Sequence, residues 1–372
     1  MKIVVAIDSF KGSLSSLQAG NAVKAAALSL RPDAQVVVKP LADGGEGTVD
    51  AFLETPGTTE VIVPVTGPLG DKVNAKYCIL ADKTTAVMEM AEAAGITLIS
   101  ADQRNPLETT TYGVGEMIKD AITKGCRNFL MGIGGSATND GGTGMLAALG
   151  YEFLDQNGRP VALGGKGLKD ICSIRRENVL PELAECHFRI ACDVSNPLCG
   201  AKGCSAIYGP QKGATADMIR DMDGWLGDFA KLVPDADPDY PGCGAAGGLG
   251  FAFLAFTKAE LKPGISLVLE EIALENDIKD ADLVITGEGR LDSQTVMGKA
   301  PIGVAKLAKQ YGKRVIAFSG CTTDDAEVCN DHGIDAFFPI LRQVTTLEAV
   351  LDKDTAYKNL QKTAYQVFRL VL

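Results

Sequence analysis

Histidine is nearly absent from this chain: His187 and His332 are the only two in 372 residues, beside a single tryptophan. Acid–base chemistry therefore falls to carboxylates. The ten cysteines contain no CxxC pair, and Cys199 and Cys204 are too loosely spaced for a typical zinc knuckle. Reduced thiols in a cytosolic protein are the expected state. A basic cluster is missing too. The balance is 36 basic against 47 acidic residues, net −11, which argues against nucleic acid as a partner. No apolar run approaches the ~20 residues of a membrane span. The run opening MKIVVAIDSF is cut by Asp8, short of the ~7–15 apolar residues of a secretory signal. These absences predict a cytoplasmic protein that acts on a small molecule, with monomer and homodimer both open.

What is present suggests two domains. A hydrophobic content of 46% supports proper cores, and the length exceeds the ~100–200 residues of one domain. Apolar runs at Ile3–Ile7, Gln35–Val38, Phe129–Ile133, Leu283–Thr286, Arg314–Phe318 and Ala336–Ile340 alternate with polar loops and helical patterns. Unbroken apolar strands alternating with helices predict a parallel, doubly wound, Rossmann-like α/β sheet. By contrast, Glu60–Leu80 alternates around TGPLGD and predicts a hairpin. Helices are expected near Met218–Leu232 and Leu249–Leu261. The predicted division is a Rossmann-like domain from 1–57, 106–150 and 280–372. A mixed α+β domain from 58–105 and 151–279 is interleaved with it.

Ligands of an open parallel sheet collect at the carboxyl ends of its strands. Here those ends read IDSFKGS, PLADGGEGT, IGGSATNDGG, ITGEGRLDSQT and SGCTTDD. Each joins glycine, which lets backbone N–H groups approach an anion, to hydroxyl or acidic residues. Asp8, Asp43, Glu46, Asp140, Asp193, Glu288 and Asp292 are candidate metal ligands or bases. For Asp8 and Asp43, capping of the next helix is the competing role. Lys11, Lys212, Arg290 and Lys299 are the cations beside these loops. GxxxxGK[ST] is absent, which excludes a P-loop. GIGGSA at 132–137, with Asp155 downstream, approaches a dinucleotide fingerprint, but Asn139–Gly142 should break the helix that motif opens.

Longer strings carry a resemblance. IDSFKGSLS, PLADGGEGT, GIGGSATNDGG, ACDVSNPLCG, GPQKG, PGCGAAGGLG and ITGEGRLDSQTVMGKAP resemble, in order and across nearly the whole chain, the type 1 glycerate kinases, the bacterial glycerate 2-kinases. That resemblance implies two α/β domains with the active site in a cleft. It also implies ATP-dependent phosphorylation of D-glycerate with Mg²⁺, favouring 2-phosphoglycerate over 3-phosphoglycerate, within glycerate, glyoxylate or sugar-acid breakdown. On this reading Asp193, at the end of an apolar strand, is the general base, with Lys11 and Arg290 neutralising charge. Asp8, Ser9, Asp43, Glu46 and Asn196 are expected at the substrate, and Glu288 and Asp292 at the metal. Gly134, Gly135, Ser136, Thr138, Asn139, Gly141, Gly142 and Lys299 are expected at the nucleotide. The competing readings are an NAD-dependent hydroxy-acid dehydrogenase, resting on GIGGSA, and a non-catalytic ligand-binding protein.

Overall fold

Thirteen strands, numbered along the chain, form three sheets in the computed structural model, which describes residues 1–372. The chain divides into two units. The first holds Met1–Asp43, Asp50–Thr55 and Ile265–Leu372, and the second Gly44–Val49 and Pro56–Gly264.

The first unit is a five-stranded parallel sheet. Its strands are Lys2–Ile7 (β1), Gln35–Pro40 (β2), Leu283–Leu291 (β11), Arg314–Thr322 (β12) and Ala336–Pro339 (β13), in the order β13-β12-β11-β1-β2. Ile3 to Ile7 of β1 are fully buried, as a strand covered on both faces must be. On one side the helix Ser16–Leu30 starts at a Ser15–Gln18 capping box and turns Ala19, Ala22, Val23 and Ala26 inward. It packs against the helix Lys353–Val371, whose Leu360, Ala364 and Phe368 join the same core. Gly20 lets this helix lie close on the sheet, since a Cβ there would stand 2.4 Å from Val38 Cγ1. The chain leaves β1 toward β2 on one side and builds β11 to β13 on the other. The order of the sheet therefore reverses between β1 and β11, where a doubly wound sheet opens its ligand crevice.

The second unit is built on a six-stranded mixed sheet. Thr59–Thr66 (β3), Lys72–Ile79 (β4) and Thr85–Glu89 (β5) form an antiparallel meander. Asn128–Gly132 (β6), His187–Ala191 (β9) and Ala259–Lys262 (β10) extend β5 in parallel, giving β10-β9-β6-β5-β4-β3. Glu152–Leu154 (β7) and Ser173–Arg175 (β8) make a separate antiparallel ribbon. Phe129 and Phe188 stack with centroids 4.7 Å apart, and Phe253 closes on Phe188 at 5.4 Å. Fully burying one such ring contributes about 1.5–3 kcal/mol.

Several boundaries differ from expectation. Residues 106–150 belong to the second unit, because β6 pairs with β5 and β9 rather than with β1. A strand buried on both faces has the same apolar signature in either sheet, so its partners cannot be read from it. Residues 265–279 belong to the first unit, and Gly44–Val49 to the second. GEGRL and SGCTT, expected as loops, are still strand: Glu288 pairs with Ser319 and Arg290 with Cys321. Gly287 permits that extension, since a Cβ there would meet Phe318 O at 1.9 Å. The helix expected over Leu249–Leu261 ends at Phe256, and Leu261 lies in β10. No helix is long and apolar enough to cross a membrane.

This division makes a direct prediction. Every strand of the six-stranded sheet lies between Thr59 and Lys262, so a fragment of residues 56–264 should unfold in one cooperative thermal transition. A fragment of residues 1–150 lacks β7 to β13 and should be molten or aggregated. Calorimetry of both fragments checks this, and a sharp transition in the shorter one would contradict the division.

Candidate functional site

In the first unit, the reversal between β1 and β11 places two loop systems side by side. The Asp8 N–H donates to Gly287 O at 2.9 Å, tying the end of β1 to β11. A cavity of about 480 Å³ opens there. Asp8, Ser9, Lys11, Asp43, Glu288, Arg290 and Lys299 line its polar side. Phe10, Ile340, Leu341, Leu347, Val350 and Leu351 form an apolar wall.

The electrostatics separate the carboxylates of this cavity from Asp292, which is buried nearby and does not line it. Burial, and after it the charges of Asp43 and Glu288, outweigh relief from the Ser9 N–H and Lys11 and together raise the Asp8 pKa to about 7. Glu288 is also raised, chiefly by burial and then by Asp292 and Asp43, although the Thr295 hydroxyl donates to it at 2.7 Å. Asp292 behaves oppositely. Burial opposes its charge, but Arg290, Lys299 and the Gln294 N–H outweigh that and hold its pKa low. Arg290 donates to Asp292 Oδ2 through two nitrogens, at 2.8 and 2.6 Å, and the Gln294 N–H donates to Oδ1. The carboxylates that repel one another are Asp8, Asp43 and Glu288, and mutual repulsion of that kind is what a divalent cation relieves.

In the second unit, a smaller concavity of about 230 Å³ lies at the carboxyl ends of β6 and β9. Gly134, Gly135, Ser136, Asp193, Tyr208 and Lys212 line it, with Gly44 and Gly45. Asp193 follows β9 and is exposed, and its Oδ1 accepts the Gly264 N–H at 3.0 Å. Lys212 is only 2% exposed, and its ammonium donates to Ser136 Oγ at 2.8 Å and to Thr138 O at 2.6 Å. Burial lowers its pKa to about 8. Glu89, at the end of β5, accepts from the N–H groups of Gly47 and Val49 and so orders the 44–49 loop.

Asp8, Ser9, Lys11, Asp43, Glu288, Arg290 and Lys299 thus come together as one cavity, while Gly134, Gly135, Ser136 and Asp193 share the second. Other expected site residues do not line either. Thr138 and Asn139 are fully buried, and the Asn139 amide donates to Ser205 Oγ. Gly141 packs against Leu226 and Phe229, and Gly142 against Ala252, where a Cβ would stand 2.4 Å away. Neighbouring Asp140 is buried on the Thr111 hydroxyl and N–H and the Gly142 N–H. This half of GGSATNDGG therefore builds the core beneath the loop. Asn196 spends both ends of its amide locally, donating to Lys202 O and accepting from the Tyr208 hydroxyl. Glu46 is exposed and lines neither concavity. Lys299 falls in the first unit, near Glu288 and Asp292, whereas Gly134 to Gly142 lie in the second.

The dinucleotide reading fails on local geometry. No helix opens at GIGGSA: the next one, Thr143–Ala148, begins only after Gly142. Asp155 is half-buried and accepts the N–H groups of Asn157 and Arg159 in a turn of its own. Two features escaped the sequence altogether: the apolar wall of residues 340–351, which follows the last recognisable motif, and the burial of Lys212. GPQKG marked that lysine as a candidate cation and no more.

A switch-point cavity of clustered carboxylates and cations, with glycine-rich strand ends in each unit, is the equipment of a phosphotransferase, whose work is chiefly positioning and charge neutralisation. The glycerate kinase family model matches residues 3–372. The chain is 47% identical over 375 residues to a glycerate kinase of Haemophilus influenzae, covering 100% of this chain and 99% of that one. It is 49% identical to the Escherichia coli glycerate 2-kinase, covering 94% of this chain and 92% of the other. A crystal structure from Salmonella typhimurium LT2, provisionally named glycerate kinase 2, matches with a TM-score of 0.92 at 46% identity, over 100% of this chain and 98% of that one. The chain belongs to the glycerate kinase family and is a phosphotransferase with an alcohol group as acceptor.

Proposed function

We propose that the chain transfers the γ-phosphoryl group of ATP to the 2-hydroxyl of D-glycerate, giving ADP and 2-phosphoglycerate. The observation that carries this reading is the division of size and chemistry between the two concavities. The larger, about 480 Å³, pairs an apolar wall suited to a purine with charged strand ends suited to phosphates. The smaller, about 230 Å³, suits a three-carbon acid and contains an exposed carboxylate, Asp193. The nucleotide is thus assigned to Lys11, Arg290 and Lys299 of the first unit instead of the 134–142 loop. Asp193 accepts the proton of the acceptor hydroxyl as its oxygen bonds to the γ-phosphorus and the bond to the β-phosphate oxygen breaks.

The residues present fit Mg²⁺, which usually takes one or two carboxylates besides phosphate oxygens and waters. No three carboxylates, histidines or cysteines converge here as a complete metal cage, so one or two of Asp8, Asp43 and Glu288 would hold it together with phosphate oxygens and waters. Asp292 is better placed to orient Arg290, since both its oxygens already accept from donors. When bound, the ion supplies charge neutralisation at the phosphates. The name of the Escherichia coli relative supports the 2-hydroxyl as acceptor. A cytoplasmic place in glycerate, glyoxylate or sugar-acid breakdown suits this chemistry.

Proton-coupled phosphorus NMR of the product tests the reading. A phosphate ester on the carbon bearing one hydrogen appears as a doublet, and one on the terminal CH₂ as a triplet. A doublet is expected with ATP, D-glycerate and Mg²⁺, and none with excess EDTA. A triplet would refute the 2-hydroxyl assignment, and the absence of ADP release would refute the kinase reading itself.

A further inference from the structure

Lys212 is the unusual residue of the second unit. A lysine is almost never fully buried unless it is paired, yet none of its hydrogen-bond partners is a carboxylate. Its two acceptors, Ser136 Oγ and Thr138 O, are neutral. A lysine ammonium has three donors, so one N–H remains without a protein acceptor. Burying a charge with no counter-charge in contact costs free energy that the fold must recover elsewhere.

The surroundings indicate what recovers it. The backbone N–H groups of Gly134, Gly135 and Ser136 donate to no acceptor in the protein. Gly135 has φ +71°, the left-handed conformation that helps consecutive amides converge, and Gly134 has no atom within 4 Å of where a Cβ would stand. Ser136 Oγ already accepts from Lys212, leaving its own O–H to donate. Three amides without a protein acceptor, one hydroxyl and one ammonium therefore belong to residues lining the small concavity, where Asp193 is the one carboxylate. That is a receptor for one compact anion. A carboxylate matches the volume, and the hydroxyl on its α-carbon would then be within reach of a base.

Taking the groove as the acceptor site, as proposed above, we propose that Lys212 and the Gly134–Ser136 segment bind the carboxylate of the acceptor. They thereby make this chain selective for hydroxy acids over neutral analogues. Lys212 is a binding residue that discriminates by charge, and Ser136 both positions it and shares the ligand.

The test is calorimetric titration of wild type, Lys212→Met and Ser136→Ala with D-glycerate, its neutral isostere D-glyceramide, and ADP with Mg²⁺. In wild type D-glycerate should bind far more tightly than D-glyceramide. Lys212→Met should weaken D-glycerate by about 30- to 1,000-fold, the range for removing one partner of a desolvated charge pair. D-Glyceramide and ADP should change less than about threefold, so that the preference for the acid collapses. Loss of ADP binding with D-glycerate retained would assign Lys212 to a nucleotide phosphate and overturn the proposal. Retention of both ligands would make the lysine purely structural and would overturn it equally. If Lys212→Met does not fold, as circular dichroism would show, Ser136→Ala decides: D-glycerate should weaken about tenfold with D-glyceramide unchanged, and unchanged D-glycerate affinity refutes the site. If wild type binds D-glycerate but transfers no phosphate from ATP, the kinase reading fails while the carboxylate site stands.

Discussion

Asp193→Asn should lower kcat by about 10²–10⁴-fold, the usual range for losing a positioned acid–base group. The carboxylate is exposed at the end of β9 in the second unit, and the Gly264 N–H holds one of its oxygens. Asparagine keeps the size and the carbonyl that accepts from Gly264, so the loop should hold its shape. What it removes is the basicity that takes the hydroxyl proton. Affinity for ATP should move less than about threefold, because the nucleotide is assigned to the other unit. A pre-steady-state comparison of phosphoryl transfer with nucleotide binding measures both. Near-normal turnover would take Asp193 out of the chemistry, and activity regained at high Mg²⁺ would make it a metal ligand.

Asp8→Asn should separate stability from activity. The carboxylate keeps its charge only against burial, Asp43 and Glu288, which raise its folded pKa to about 7 from 3.8. A group whose folded pKa is raised lends stability that is complete below the unfolded pKa and is lost as pH rises through the folded one. Metal-free wild type should therefore lose stability between about pH 4 and pH 7, where Asp8 is ionised in the unfolded chain but still largely protonated in the folded one. Asparagine does not titrate, and it can still accept the Ser9 N–H that Asp8 accepts at 2.6 Å. At pH 8 the variant should exceed metal-free wild type by on the order of 2–4 kcal/mol. That corresponds to a rise in Tm of several degrees at about 2–4 °C per kcal/mol. Mg²⁺ should raise the Tm of wild type above pH 7 and barely affect the variant. Activity should fall by on the order of 10²–10³-fold, as when one electrostatic support of the transition state is removed. Thermal melts across pH 4–8, with and without Mg²⁺, check every part. A variant less stable than wild type at pH 8 would show that Asp8 stabilises the fold instead of straining it.

Much of this protein was legible in its amino-acid order. The parallel sheet of the first unit follows from β1, β2, β11, β12 and β13, each an apolar run ended by polar glycine-containing sequence. The hairpin at β3 and β4 follows from period-two alternation. Asp8, Lys11, Asp43, Glu288 and Arg290 were picked out as strand-end residues, and the cavity they share exists because β1 and β11 are neighbours.

Local sequence did not disclose how distant pieces pair and what they bury. Phe129–Met131 is as apolar as any strand of the first sheet, yet β6 lies between β5 and β9, because stacking of Phe129 on Phe188 can be recognised only once both strands are placed. Thr138, Asn139, Gly141 and Gly142 carry the same loop-like letters as Gly134 to Ser136 but form the floor of the loop. Lys212 has a surface residue's identity, and only the packing of 134–138 over it makes it a buried cation. Residue types and their periodicity set which segments become strands and which loops carry charge. Pairing, burial and the resulting pKa shifts depend on groups far apart in the chain, and those the tertiary structure alone brings within a few ångströms.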